Sequence, residues 1–145
     1  MTRVDFYILD SADPVNRSLF VCRLAEKAWR MGHTIHIQTN QLADAESLDE
    51  LLWNFKAEAF IPHALAPTIK STPIHIGYGE TVSQHHDLLI NLCNEVPLFC
   101  SSFERVAEVV TQAPDQLAIS RERFRFYRER GYALESHKII SKGTT

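Results

Sequence analysis

Two near-continuous apolar runs constrain this chain most. Val4–Leu9 and Leu88–Leu92 have almost no polar positions, so neither suits a strand with one wet face. Both read instead as strands of a sheet covered on two sides. The segments between them follow a helical period. Val15–Met31 puts Val21, Cys22, Ala25, Ala28 and Trp29 on one face, and Gly32 stops it. Ala43–Phe55 aligns Ala45, Leu48, Leu51, Leu52 and Phe55 in one stripe. Thr34–Gln38 and Ile74–Gly77 add two strands. Arg105–Thr111 reads as a fifth, because Val106, Val109 and Val110 favour strand over a helical turn. Pro114–Arg130 is the last helix, with Pro114 in its first turn and Gly131 as its stop.

Strands alternating with helices predict an α/β fold: three layers, with a mainly parallel sheet of about five strands and helices on both faces. The 145 residues suit one domain over residues 1–135, and residues 136–145 read as a loosely ordered tail. From Phe60 onward, Pro62, Pro67 and Pro73 punctuate an irregular stretch. No apolar run is long enough to cross a membrane. The opening Met-Thr-Arg-Val-Asp-Phe reads as an approach to a strand and not as a signal peptide. Cys22, Cys93 and Cys100 are odd in number and form no Cys-x-x-Cys, which fits a reducing cytoplasm.

Folds of this class often hold nucleotides, so the phosphate loop is the test. Gly32, Gly77, Gly79, Gly131 and Gly143 form neither Gly-x-Gly-x-x-Gly nor Gly-x4-Gly-Lys-Ser/Thr. The loop after the first strand, Asp10-Ser11-Ala12-Asp13-Pro14, is acidic and lacks glycine. Asp10 and Asp13 could hold Mg²⁺ for phosphoryl transfer or hydrolysis, with a histidine as partner. The competing reading is a helix start, where carboxylates meet unpaired amides. His85-His86 point apart, and single histidines at His36 and His75 sit in strands, so no metal or cofactor site is expected.

The last helix concentrates charge. Residues 121–132 hold five arginines against two glutamates, with four aromatics, a local charge of +3 in a chain of −3. The remainder therefore carries −6. Leu117, Arg121, Phe124 and Arg128 share one stripe at 100° per residue. Ile119, Arg123, Phe126 and Arg130 share roughly the opposite one. One stripe is expected to pack on the domain and the other to show an aromatic ring between guanidinium groups. Such a surface suits an acidic peptide with a bulky apolar end, because arginines clamp carboxylates with paired hydrogen bonds. The alternatives are arginine stems lying along apolar surface and direct stacking on single-stranded DNA. Overall acidity weighs against the last.

Trp53 projects away from the buried stripe of its own helix, toward Glu46, Asp49 and Lys56, and Phe60 follows seven residues later. The pair could form a partner-binding patch, or the loop could fold back over the indole.

Three stretches then match a known family. They are Phe6-Tyr7-Ile8-Leu9 with Ala25-Glu26-Lys27-Ala28-Trp29; Leu48-Asp49-Glu50-Leu51-Leu52-Trp53 followed by Phe60-Ile61-Pro62-His63; and Arg121-Glu122-Arg123-Phe124 with Tyr127-Arg128 and Gly131-Tyr132. Together they resemble the chi-subunit family of bacterial DNA polymerase III, almost end to end. The resemblance implies a nucleotide-binding-like fold without nucleotide activity. It also implies a non-catalytic accessory subunit of the polymerase holoenzyme, without cofactor, acting in the cytoplasm at the replication fork. Its partners would be the psi subunit of the clamp loader and the acidic C-terminal tail of single-stranded DNA-binding protein, with DNA contacted only indirectly. Carried over by motif, Arg121 would hold the terminal carboxylate of the tail, Phe124 would pack on its last phenylalanine, and Arg128 would steer its acidic residues. Trp53 and Phe60 would face psi. Phe124 stands where some members have tyrosine, and Ala66–Thr81 matches the family pattern badly.

Overall fold

The computed structural model describes residues 2–56, 60–66, 72–80 and 84–140. In chain order its elements are β1 (Arg3–Leu9), α1 (Pro14–Arg30), β2 (Ile35–Thr39), α2 (Leu42–Asn54), β3 (His63–Leu65), β4 (Ile74–Tyr78), β5 (Leu88–Asn91), β6 (Arg105–Val110), α3 (Pro114–Glu129) and β7 (Ala133–Ile139). A 3-10 turn at Cys100–Ser102 precedes β6. The strands form one sheet in the order β3-β4-β2-β5-β6-β1-β7, and every pairing is parallel.

Side-chain alternation along the strands builds two cores. One face carries Leu9, Ile35, Ile37, Ile74, Ile76, Leu88, Ile90 and Val109, covered by Val21, Cys22 and Ala25 of α1 and by Leu48 and Leu52 of α2. The other carries Val4, Phe6, Leu89, Val106 and Val110, covered by Tyr127 of α3 with Cys100 and Phe103. Two helices therefore cover one face and one helix covers the other, as a three-layer α/β fold requires.

The helix ends follow local chemistry. Asp13 caps α1, its Oδ1 accepting from the Val15 amide at 2.9 Å. Such a cap contributes about 1 kcal/mol. Pro14 supplies the preset φ of the first turn. Gly32 takes φ +88°, the left-handed conformation that lets the chain leave the helix at low cost.

The sheet has seven strands where the sequence pattern predicts about five. β3 has only three residues, too few for any period to show, and it pairs with β4 from His63 opposite Ile74. β7 corrects the expectation of a loose tail from residue 136. It pairs with β1 along its whole length, so the boundary expected after residue 135 falls inside a strand. As an edge strand it is half exposed and polar. It is tied by His137 Nε2 donating to Asp5 at 2.9 Å and by Arg3 donating to Glu135 at 2.6 Å. Polar anchors of this kind leave no hydrophobic periodicity to read. Residues 141–145 of the expected tail lie outside the described residues.

Candidate peptide-binding surfaces

α3 rests on the sheet through one row, Arg123 and Tyr127, four residues apart on the same face. The expectation that one whole stripe packs is corrected here. Of Ile119, Arg123, Phe126 and Arg130 only Arg123 is buried, and Arg130 is exposed. Phe126 is half-buried, with the Arg130 guanidinium 3.7 Å from its ring centre. The buried row takes Arg123 from that stripe and adds Tyr127, and the stripe of Leu117, Arg121, Phe124 and Arg128 flanks it.

The buried row is held by charge as well as by apolar contact. Glu108 on β6 is completely buried, and its Oε1 accepts from Arg123 Nη1 at 2.6 Å. Its Oε2 accepts from the Tyr127 hydroxyl at 2.7 Å and from Asn91 Nδ2 at 2.9 Å. Arg123 also donates to the Cys93 carbonyl. Burial, reinforced by Glu108, pushes the Tyr127 hydroxyl far above its ordinary range, so it stays a donor. The sequence carried a signal for this network. A glutamate inside Val-Ala-Glu-Val-Val is an uncompensated charge unless a cation comes to it.

On the flank toward β7, α3 leaves a cavity of about 160 Å³. Phe6 and Ile8 of β1, Val110 of β6 and Ser136 of β7 form the sheet side, and Leu117, Ser120, Arg121 and Phe124 form the helix side. The Phe124 ring packs on Phe6 with centroids 5.3 Å apart. Arg121 is exposed, so a guanidinium borders an apolar hollow. A dry cavity of roughly 150 Å³ is enough to take a benzene ring. The structure thus brings Arg121 and Phe124 together. Arg128, one turn further along the stripe, is exposed but lies outside the cavity lining. The sheet side of the hollow, Phe6, Ile8 and Val110, was not singled out from sequence. Only the register of β1 beside β6 and β7 turns those strand residues toward α3.

A second surface lies at the end of α2. Trp53 is 43% exposed and Phe60 69% exposed, with ring centroids 5.2 Å apart. Phe60 touches the indole without covering it. Beneath them His63 is buried, its ring centre 4.3 Å from that of Trp53. Its Nδ1 lies 2.6 Å from the Ile61 carbonyl and its Nε2 3.0 Å from the Asp49 carbonyl. The imidazole is therefore clamped between α2 and the loop and serves as a floor for the two exposed rings.

The residues considered for chemistry have other work. Asp13 is committed to the α1 cap. Among the described residues the one group with metal-like spacing is Asp5, Glu135 and His137. Asp5 already accepts from Arg105 at 3.0 Å, from His137 at 2.9 Å and from Arg3 at 3.2 Å. Burial opposes its ionisation, but the hydrogen bonds from His137 and Arg105 and the two guanidinium charges outweigh it and hold the carboxyl below its usual range. Two arginines beside the site oppose a cation. Burial pushes the thiols of Cys22 and Cys93 up to about 12 and about 11, which disfavours nucleophilic thiolates. Among the described residues no helix is long and apolar enough to cross a membrane.

The family whose model matches residues 1–135 is described as DNA polymerase III chi subunit, HolC. The chain is 49% identical to DNA polymerase III subunit chi of Pseudomonas aeruginosa, a match covering 96% of this chain and 98% of that protein. It is 34% identical to the Haemophilus influenzae subunit, covering 92% and 95%, and 31% identical to the Escherichia coli subunit, covering 94% and 97%. In fold it is similar to the crystal structure of T4 UvsW, at a TM-score of 0.70 and 10% identity. That match covers 96% of this chain and 42% of the longer one.

Proposed function

The chain belongs to the DNA polymerase III chi subunit family, and from that premise we propose that it is a non-catalytic adaptor of the replication machinery with two peptide-binding surfaces. One surface takes the acidic C-terminal tail of single-stranded DNA-binding protein. The other takes the psi subunit and so ties the chain to the clamp loader. DNA is contacted indirectly, and no cofactor or metal takes part. The adaptor works in the bacterial cytoplasm at the fork.

The observation that carries the tail assignment is the hollow beside α3. It is apolar within, large enough for one aromatic ring, and bordered by the Arg121 guanidinium. In this reading the terminal phenylalanine enters between Phe6, Leu117 and Phe124. Its carboxylate pairs with Arg121, and Arg128 draws in the acidic residues before it. Trp53 and Phe60 supply the aromatic anchors for psi, because large exposed rings over a rigid floor are efficient contact residues.

Calorimetric titration tests the tail assignment directly. An acidic peptide ending in Ile-Pro-Phe is expected to bind, and the same peptide without its final phenylalanine is not. Equal binding of the two peptides, or none by either with the protein folded, would remove the hollow from the function.

A further inference from the structure

A larger cavity, of about 920 Å³, opens at the carboxyl ends of β2, β4 and β5, and neither peptide surface described above uses it. Its volume lies in the range of genuine ligand sites. One wall is the segment Val96-Pro97-Leu98-Phe99. Leu98 is wholly exposed, the most exposed large apolar residue among those described.

This wall is built and not merely left over. Where the segment begins, Cys93 donates its amide to Asn91 Oδ1 at 3.0 Å, and Asn94 donates to Asn40 Oδ1 at 3.1 Å. The Cys93 carbonyl receives the buried Arg123 guanidinium. Where it ends, the Cys100 amide donates to the Pro97 carbonyl at 3.1 Å, and Phe99 packs on Phe103 and on buried His36. Leu98 therefore stands at the tip of a loop pinned on both sides, and holding it in water gains nothing for the fold.

The charge of the lining selects the occupant. Glu80 and Glu95 are both exposed there, and no lysine or arginine is among the lining residues. The sign is opposite to that of α3, with its four arginines. The place is distinct as well. α2 starts beside this cavity and climbs about 1.5 Å per residue, so Trp53 lies roughly 17 Å away along the helix, toward the other end of the strands.

We propose that this cavity is a third docking site, for a basic peptide segment of a protein partner. The segment carries a lysine or arginine beside an aliphatic or aromatic side chain. The apolar group seats against Val96, Leu98 and Phe99, and the cation pairs with Glu80 and Glu95. The two acidic side chains exclude the acidic tail assigned to α3, so one small domain can hold partners of opposite charge without competition.

The test uses the full chain and a random peptide library displayed on phage. Selection runs in parallel on the parent protein, on Leu98→Asp and on Glu95→Lys, two exposed positions whose variants are expected to keep the parent's melting temperature. Peptides enriched at least tenfold on the parent and lost on both variants are expected to be net basic with an apolar residue beside the cation. If the variant-sensitive peptides are acidic or neutral, or if no enriched peptide responds to either substitution, the proposal is overturned. Binding of the acidic Ile-Pro-Phe peptide to Leu98→Asp serves as the folding control and is expected to be unchanged.

Discussion

Arg123 of α3 and Glu108 of β6 form a buried ion pair, with Nη1 2.6 Å from Oε1, under the helix that carries the proposed tail site. The pair decides which way α3 faces. With Arg123 pulled inward, Arg121 and Phe124 are turned to the flank beside β7, where the apolar hollow lies. An arginine that binds nothing external thus positions the residues proposed to do so.

Removing one member of this pair leaves a buried, unpaired charge. We expect Arg123→Ala to cost about 3–5 kcal/mol of stability. Arg125→Ala, at an exposed position of the same helix, is expected to stay within about 0.5 kcal/mol of the parent. Urea unfolding of both variants measures the difference. Equal stabilities would show that the pair does not anchor α3.

Phe124→Ala and Arg121→Glu should separate the two halves of tail recognition. The first empties one wall of the hollow and is expected to weaken the acidic peptide by about 1–3 kcal/mol. The second reverses the charge beside the hollow and should cost tenfold or more in affinity, about 1.4 kcal/mol. Binding to the parent should also weaken as salt is added. Calorimetry at two salt concentrations reads all three effects, and a salt-independent affinity would argue against guanidinium clamps.

Trp53→Ala should leave both the fold and tail binding intact while weakening psi by about 1–3 kcal/mol, as loss of an exposed aromatic anchor does. Co-purification with psi and titration with the tail peptide are the paired measurements. Loss of both activities together would place Trp53 in the structure and not in an interface.

Gly77 is required by a neighbour. A Cβ there would sit 2.6 Å from His36 Cε1, on a completely buried ring. Gly77→Ala is therefore expected to destabilise the protein by about 1–3 kcal/mol. Combining it with His36→Ala should recover part of that loss, and a double-mutant cycle by thermal unfolding measures the recovery. Purely additive costs would mean that the two positions do not clash.

His36 also gives stability a pH dependence. Burial, only partly offset by the hydrogen bond to Gln38, lowers its pKa from 6.5 to about 4. Nε2 donates to Gln38 Oε1 at 2.8 Å, and Nδ1 is buried without a partner. The unfolded ring takes a proton near pH 6.5 and the folded one near 4, so the unfolded state binds more protons between those values. Stability contributed by the neutral ring is complete above 6.5, falls by about 3 kcal/mol down to pH 4, and then levels off. His36→Gln should flatten that window in melting curves taken from pH 4 to 7. An unchanged slope would assign the effect to other groups.

The sequence by itself determined the fold class, because apolar runs and helical stripes follow from backbone periods that need no partner to be seen. Among the described residues, five of the seven strands and all three α-helices are legible that way. The arginine-aromatic character of α3 and the isolation of Trp53 from its own apolar stripe are legible too, since both are properties of one local segment. Only the tertiary structure decided the rest. β7 is polar because it is anchored by polar contacts to β1, His137 on Asp5 and Arg3 on Glu135, between residues more than a hundred positions apart. The face that α3 presents depends on Glu108 meeting Arg123 across the layer. The hollow beside it exists only where β1, β6, β7 and α3 converge, and no local pattern encodes a space bounded by four separate elements.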